Sequence, residues 1–154
     1  ATLCLLDNIV LPGFLAGLRP RQEVEARGRE LMERMGISEL AGSDITEVSG
    51  GQLQRAGICR ALINEPGIVF ADEPTGALNS ATAAQILDLL GEVHTSGTTL
   101  VVVTHDAQVA ARADRVLLLV DGGVVEDLAL GGYREAQASQ RLATVSRALQ
   151  RRSV

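Results

Sequence analysis

The hydrophobic positions of this chain change their spacing from one end to the other, and each change predicts a different element. The run Ile9 to Leu18 is apolar but interrupted by Pro12, Gly13 and Gly17, and it ends at the joint Arg19-Pro20. From Arg21 to Met35, Val24, Leu31, Met32 and Met35 fall near helical spacing among glutamates and arginines, which predicts an amphipathic, solvated helix stopped at Gly36. Ile37 to Glu47 predicts a short helix or an irregular connection. After Gly50-Gly51 the helical spacing resumes from Leu53 to Asn64 and ends at Glu65-Pro66.

Beyond that proline the pattern shifts to short, unbroken apolar runs. Gly67 to Ala71 and Thr99 to Val103 read as strands buried on both faces. Between them Ser80 can cap a helix from Ala81 to about Val93, leaving His94 in a loop. Asp106 can cap a short helix to about Ala113. Val116 to Val120 and Val124-Val125 flank Asp121-Gly122-Gly123, a hairpin signal. Tyr133 to Arg152 reads as a helix carrying Arg134, Arg141, Arg147, Arg151 and Arg152, a solvated cationic face or, as the alternative, a contact for a partner or an acidic headgroup.

Strand, helix, strand, helix, strand is the order of an α/β fold with a mainly parallel sheet. The segment before Gly50 does not share that order and predicts an N-terminal helical subdomain. The expected division is residues 1–64 as the helical subdomain with its glycine loop and helix, 65–130 as part of a catalytic core, and 131–154 as a helical tail.

Composition narrows the functional classes. The 154 residues carry a formal charge of −5, with no basic footprint for nucleic acid. Phe14, Phe70 and Tyr133 are the only aromatics, so the core must be aliphatic, and three scattered rings make a poor stacking platform for single strands. Cys4 and Cys59 stand far apart without a CxxC or paired histidines, and read as reduced thiols of a cytosolic protein. The apolar N-terminal run is well short of the roughly 20 residues that span a bilayer.

Three short motifs carry candidate chemistry. In Ser49-Gly50-Gly51-Gln52, two glycines let the backbone approach a ligand, and the helix that follows aims its unpaired N–H groups at the same place. Ser49 adds a hydroxyl and Gln52 an amide. A triphosphate end suits this loop, while a simple helix cap by Ser49 accounts for the same residues. Ile68-Val69-Phe70-Ala71-Asp72-Glu73 delivers two carboxylates to the end of a strand, where open α/β sheets bind ligands. Asp72 there is a candidate for Mg²⁺ and Glu73 for polarising an attacking water; two acids opening a loop is the plainer alternative. Thr104-His105-Asp106 follows the second apolar run, so a parallel sheet brings His105 out on the same edge, able to bond a terminal phosphate; a strand-end histidine making a local bond is the plainer alternative.

Taken together and in this order, the three motifs resemble the nucleotide-binding subunits of ABC transporters. VSGGQLQR resembles that family's signature motif, IVFADE its Walker B strand with the trailing glutamate, Gly76-Ala77-Leu78-Asn79 its D-loop, and Thr104-His105-Asp106 its switch-histidine loop. Leu6-Asp7-Asn8-Ile9-Val10-Leu11-Pro12 and ADEPTGAL resemble the lipoprotein-releasing and macrolide-export type. The resemblance implies part of a P-loop NTPase core of RecA-like kind. It implies two cassettes paired head to tail around two ATP molecules and docked on transmembrane permease subunits at the cytoplasmic face of the membrane. Under it, Ser49, Gly50, Gly51 and Gln52 contact the γ-phosphate of ATP held by the partner subunit. Asp72 serves Mg²⁺, Glu73 acts as general base and His105 contacts the γ-phosphate of ATP on the same chain.

The sequence departs from that family in one large respect. GxxxxGK[ST] occurs nowhere in these 154 residues, and all 14 Lys-or-Arg positions are arginine. The glutamine loop and the adenine-stacking aromatic are likewise missing, and Asn79 stands where many members have Asp. The expectation is a C-terminal portion of a cassette that does not hydrolyse ATP alone and leaves apolar strand faces uncovered. A non-catalytic module or remnant offering its signature loop to an intact partner is the alternative. An ATPase of DNA repair or chromosome maintenance is disfavoured by the compact segment before the signature, which has neither extended heptads nor CxxC pairs.

Overall fold

The structure, a computed structural model, describes residues 3–76 and 78–151. The chain divides into two compact units between Val101 and Val102. The first contains α1 (Leu5–Ala16), α2 (Arg21–Arg34), a 3₁₀ turn (Ser38–Leu40), α3 (Gly50–Leu62), β1 (Ile68–Asp72) and α4 (Ser80–Thr95). The division falls within β2 (Thr99–Val103); after it come α5 (Ala107–Ala110), β3 (Arg115–Val120), β4 (Gly123–Ala129), a 3₁₀ turn (Glu135–Gln137) and α6 (Ala138–Gln150).

Pro12 and Gly13 lie inside α1 rather than ending it. What holds the helix together is its buried stripe, Leu5, Leu6, Ile9 and Val10, against α2 and α3. The glycines serve that packing. A methyl group on Gly13 would come within 2.5 Å of Val24 Cγ1, and one on Gly28 within 2.5 Å of Val10 Cγ1. Each helix thus offers a glycine to the other's valine, and α1 and α2 cross closely. Leu31, Met32, Met35, Ile37, Ala56, Cys59, Leu62 and Ile63 complete an aliphatic core. Arg27 closes the far end of α3, donating to the Ile63 carbonyl at 3.1 Å and the Leu62 carbonyl at 3.2 Å. Glu65, in the left-handed region at φ 50°, pairs with Arg27 at 3.0 Å and with Arg19.

The Thr99 N–H donates to the Gly67 carbonyl at 2.9 Å, so β1 and β2 start side by side and run parallel, with α4 as the crossover. The expectation that these strands are buried on both faces is overturned. Alternate residues are open along each, and Phe70 is 77% exposed. An apolar run reports that a strand is built for cover, not that the cover lies within the same chain. The separate expectation of uncovered apolar strand faces is met at Ile68, Phe70, Val101 and Val103.

In the second unit β3 and β4 form the expected antiparallel hairpin, with Val120 opposite Gly123 and a bulge between Leu118 and Leu119. Its turn carries Asp121 at φ 49° and Gly122 at φ 78°, the paired positive dihedrals that fit the twist of a hairpin. The tail's arginines divide: Arg134, Arg147 and Arg151 are exposed as expected, Arg152 lies outside the described residues, and Arg141 corrects the reading of a solvated cationic face. Arg141 is only 5% exposed and donates to the carbonyls of Ala111, Ala113, Leu130 and Gly131 at 2.7 to 2.9 Å. Val145 and Ala148 bury on the same side of the helix.

Candidate functional site

Ser49 is the N-cap of α3. Its extended backbone (φ −70°, ψ 161°) turns the side chain inward, so Oγ accepts from the Gln52 N–H at 3.3 Å. Gln52 answers, its Oε1 accepting from the Ser49 N–H at 2.8 Å, which completes a capping box. The helix therefore begins at Gly50, three residues before the start expected from the hydrophobic spacing, because capping stabilises a first turn that has no apolar residue of its own. The cap and the phosphate-loop readings are compatible: Oγ receives one hydrogen bond and keeps its own O–H to donate, and Gln52 keeps its NH₂. Gly50 has nothing within 4 Å of where a Cβ would stand, so the backbone there is approachable.

Asp72 is the last residue of β1 and is exposed; Glu73 follows, half-buried, with φ 44°. A left-handed glutamate is a strained feature, on the order of 1–3 kcal/mol, held by the turn in which the Gly76 N–H donates to the Glu73 carbonyl at 3.1 Å. Thr75, two residues on, is buried. The Leu78 N–H then donates to the Thr75 carbonyl at 3.1 Å, and Ala77 lies outside the described residues. Asn79, not Ser80, caps α4, its side chain accepting from the Thr82 N–H at 3.0 Å. Either residue type can cap, and the structure takes the earlier one. α4 also runs on to Thr95, so His94 lies in its last turn rather than in a loop, its Nδ1 3.3 Å from the Thr98 carbonyl oxygen.

Ser49 to Gln52 stand together at one helix N-terminus, and Asp72 and Glu73 at the carboxyl end of one strand. The turn after Glu73 leads directly into α4, and α4 meets α3 where Thr82 lies against Gly51. Two further members of this seam were given no role by the sequence: Arg55, the last residue of VSGGQLQR, and Gln85. Arg55 donates to Gln85 on α4 at 2.6 Å and to the Met35 carbonyl at 2.7 Å. The signal was their spacing, Gly51 to Arg55 on one helix and Thr82 to Gln85 on the other. His105 belongs to the second unit. It precedes Asp106, whose N–H donates to Thr104 Oγ1 at 3.1 Å and whose carboxylate accepts from the Gln108 N–H at 2.7 Å to cap α5.

Among the described residues no group of three or more His, Cys, Asp or Glu could hold a metal ion. Magnesium does not require such a group, since it is usually held by one or two carboxylates together with substrate phosphates. An exposed Asp72 fits such a role. For a phosphate end, the open Gly50 backbone and the Ser49 hydroxyl fit; a lysine-bearing phosphate loop is absent from these 154 residues.

Residues 4–76 match the family described as ABC transporter. The chain is 47% identical over 121 residues to the macrolide export ATP-binding/permease protein of Rhodospirillum rubrum, covering 79% of this chain and 18% of that protein. It is 43% identical over 137 residues to the corresponding protein of Rhodopseudomonas palustris, covering 89% of this chain and 21% of the relative. Its fold matches the dimeric bacterial ABC transporter cassette MJ0796 with a TM-score of 0.74 at 38% identity, over 85% of this chain and 58% of that one. The chain thus spans about a fifth of the length of these curated relatives and somewhat over half of the solved cassette.

Proposed function

Because this chain belongs to the ABC transporter family and has the α/β fold of its ATP-binding cassettes, we propose that it is part of a cassette that couples ATP hydrolysis at a dimer interface to transport, in the export direction. The observation that carries this reading is the start of α3. A capped helix presents its first N–H groups, an approachable glycine and a hydroxyl donor toward one place, which favours an anionic phosphate end. Ser49, Gly50, Gly51 and Gln52 serve ATP held by a partner cassette. Asp72, Glu73 and His105 serve ATP bound alongside them: Asp72 for Mg²⁺, which when present offsets phosphate charge, Glu73 to take a proton from the attacking water, and His105 to hydrogen-bond the γ-phosphate.

These residues supply acid, base and histidine for that second ATP but no cradle for its phosphates, so we assign no independent hydrolysis to the 154 residues themselves. The exposed Ile68 and Phe70 support the same reading, since strands of this composition are built to be covered by more of a cassette. The partners are a second ATP-binding cassette and transmembrane permease segments, which set the chain on the cytoplasmic face of the membrane. The lack of any lysine also favours a second reading, a non-catalytic module that lends its signature loop to an intact partner. Sedimentation of the chain with an intact ABC cassette tests both. Association in Mg-ATP that is lost in Mg-ADP, and weakened by Ser49→Ala, is the expected result; association that ignores the nucleotide contradicts both readings. Supplying a phosphate-loop-bearing N-terminal half of a cassette then separates them, since hydrolysis that depends on Glu73 appears only under the first.

A further inference from the structure

Arg55 reaches two helices besides its own. Its Nη1 donates to the Met35 carbonyl at the C-terminal end of α2 (2.7 Å), and its Nη2 to Gln85 Oε1 on α4 (2.6 Å). Met35 is the C-cap of α2, where a carbonyl lacks an intrahelical donor and the helix dipole favours a cation. A planar guanidinium holds two acceptors lying in different directions; an ammonium at the end of a flexible stem does not fix the same pair. Arg55 lies one turn beyond Gly51 on α3, and Gln85 one turn beyond Thr82 on α4. The α3–α4 seam is therefore two rungs deep: Gly51 against Thr82, then Arg55 bonded to Gln85. Each helix leaves that seam toward its own N-terminus, α3 toward Ser49 and α4 toward Asn79.

We propose that Arg55 is a positioning residue that holds the Ser49–Gln52 loop in register with Asn79 and with the end of α2. Both of its bonds go to protein groups. It sets the direction in which the loop presents its hydroxyl and N–H groups, so that a displacement of α2 or α4 reaches the loop through one side chain. The inference rests on the reading that this loop serves ATP on a partner cassette. A purely structural role for Arg55 is a poor account of its placement. The buried apolar residues of α3 are Ala56, Cys59 and Leu62, whereas the partner Arg55 takes on α4, Gln85, is exposed.

The test is ATP-dependent pairing of the chain with an intact ABC cassette, measured for wild type, Arg55→Ala, Gln85→Ala, the double variant and Arg55→Lys, with unfolding midpoints for each. Arg55→Ala is expected to weaken pairing in Mg-ATP about tenfold while its midpoint stays near that of wild type. Gln85→Ala weakens pairing less, the double variant is no worse than Arg55→Ala, and Arg55→Lys recovers only part of the loss. Because Gln85 is exposed, its variant keeps the test decisive even if Arg55→Ala folds poorly. Wild-type pairing with fully additive losses, with no loss, or with full rescue by Arg55→Lys overturns this inference alone. Wild-type chain that does not pair in Mg-ATP overturns the reading beneath it and this inference together.

Discussion

Gly51 lies against Thr82 so closely that a methyl group on its Cα would come within 2.7 Å of Thr82 Cγ2, whereas the same addition to Gly50 meets nothing within 4 Å. The two glycines of one motif therefore serve different ends. Gly51 lets two helix N-termini approach each other, and Gly50 keeps the outer side of the turn open.

Substituting each in turn should separate the two roles. Gly51→Ala is expected to destabilise the fold by about 1–2 kcal/mol through overpacking against Thr82. Gly50→Ala should leave stability unchanged or raise it by up to about 1 kcal/mol, since alanine favours helix, yet weaken ATP-dependent pairing by crowding the phosphate approach. Urea unfolding together with sedimentation in Mg-ATP reads both effects.

Arg141 is the polar anchor of the second unit. Its removal leaves the carbonyls of Ala111, Ala113, Leu130 and Gly131 without their donor, so Arg141→Ala should cost on the order of 3 kcal/mol. Arg141→Lys should recover less than half, because one ammonium cannot reach carbonyls spread around a planar fork. Hydrogen exchange of the α6 amides localises the loss to that unit.

The two cysteines should differ sharply toward thiol reagents. Burial pushes the Cys59 thiol up to about 12, so almost none of it is thiolate at pH 8. Cys4 is only half-buried, its Sγ 3.5 Å from the Asp7 N–H at the start of α1. One thiol is expected to react promptly in the native protein and the second only on unfolding. Two equally fast thiols would contradict the packing described for α3.

The Glu65 carboxylate is held below its ordinary value of 4.5 by the hydrogen bond from Arg19, and then by the charge of Arg27. The carboxylate binds fewer protons folded than unfolded as pH falls past that value. Its contribution is therefore complete above about pH 4.5 and lost as pH drops through the lowered folded value. Because the pair is open to solvent the contribution is small, but it is directly visible. A carboxyl titration should show Glu65 below the usual range, moving upward in Arg19→Ala.

Features set by neighbouring residues were legible in the sequence. Asp121-Gly122-Gly123 announced its hairpin because only a few residue types accept the dihedrals that turn needs. Ser49 was readable as a helix cap, although the hydrophobic spacing put the start at Leu53 and Gln52's part in the cap was not read. Features set by distant partners were not legible. Nothing near Arg141 foretold that four carbonyls from two other stretches would converge on it, so its charge read as solvated. Ile68 and Phe70 have the composition of a covered strand, and composition does not say which chain provides the cover. Pro12 and Gly13 read as an interruption because the valine that needs Gly13 lies on another helix. The joining of the Ser49 loop to α4 through Gly51, Thr82, Arg55 and Gln85 belongs to the same class. Each residue was readable, and their meeting was not.

The most direct test of the central claim is amide hydrogen exchange at Gly50 and Gly51 in the presence of an intact ABC cassette. Both amides are expected to be protected in Mg-ATP and to exchange freely in Mg-ADP, with Ser49→Ala reducing the difference. Equal exchange at these two amides in the two nucleotides, under conditions where the chains are shown to be associated, would contradict the claim.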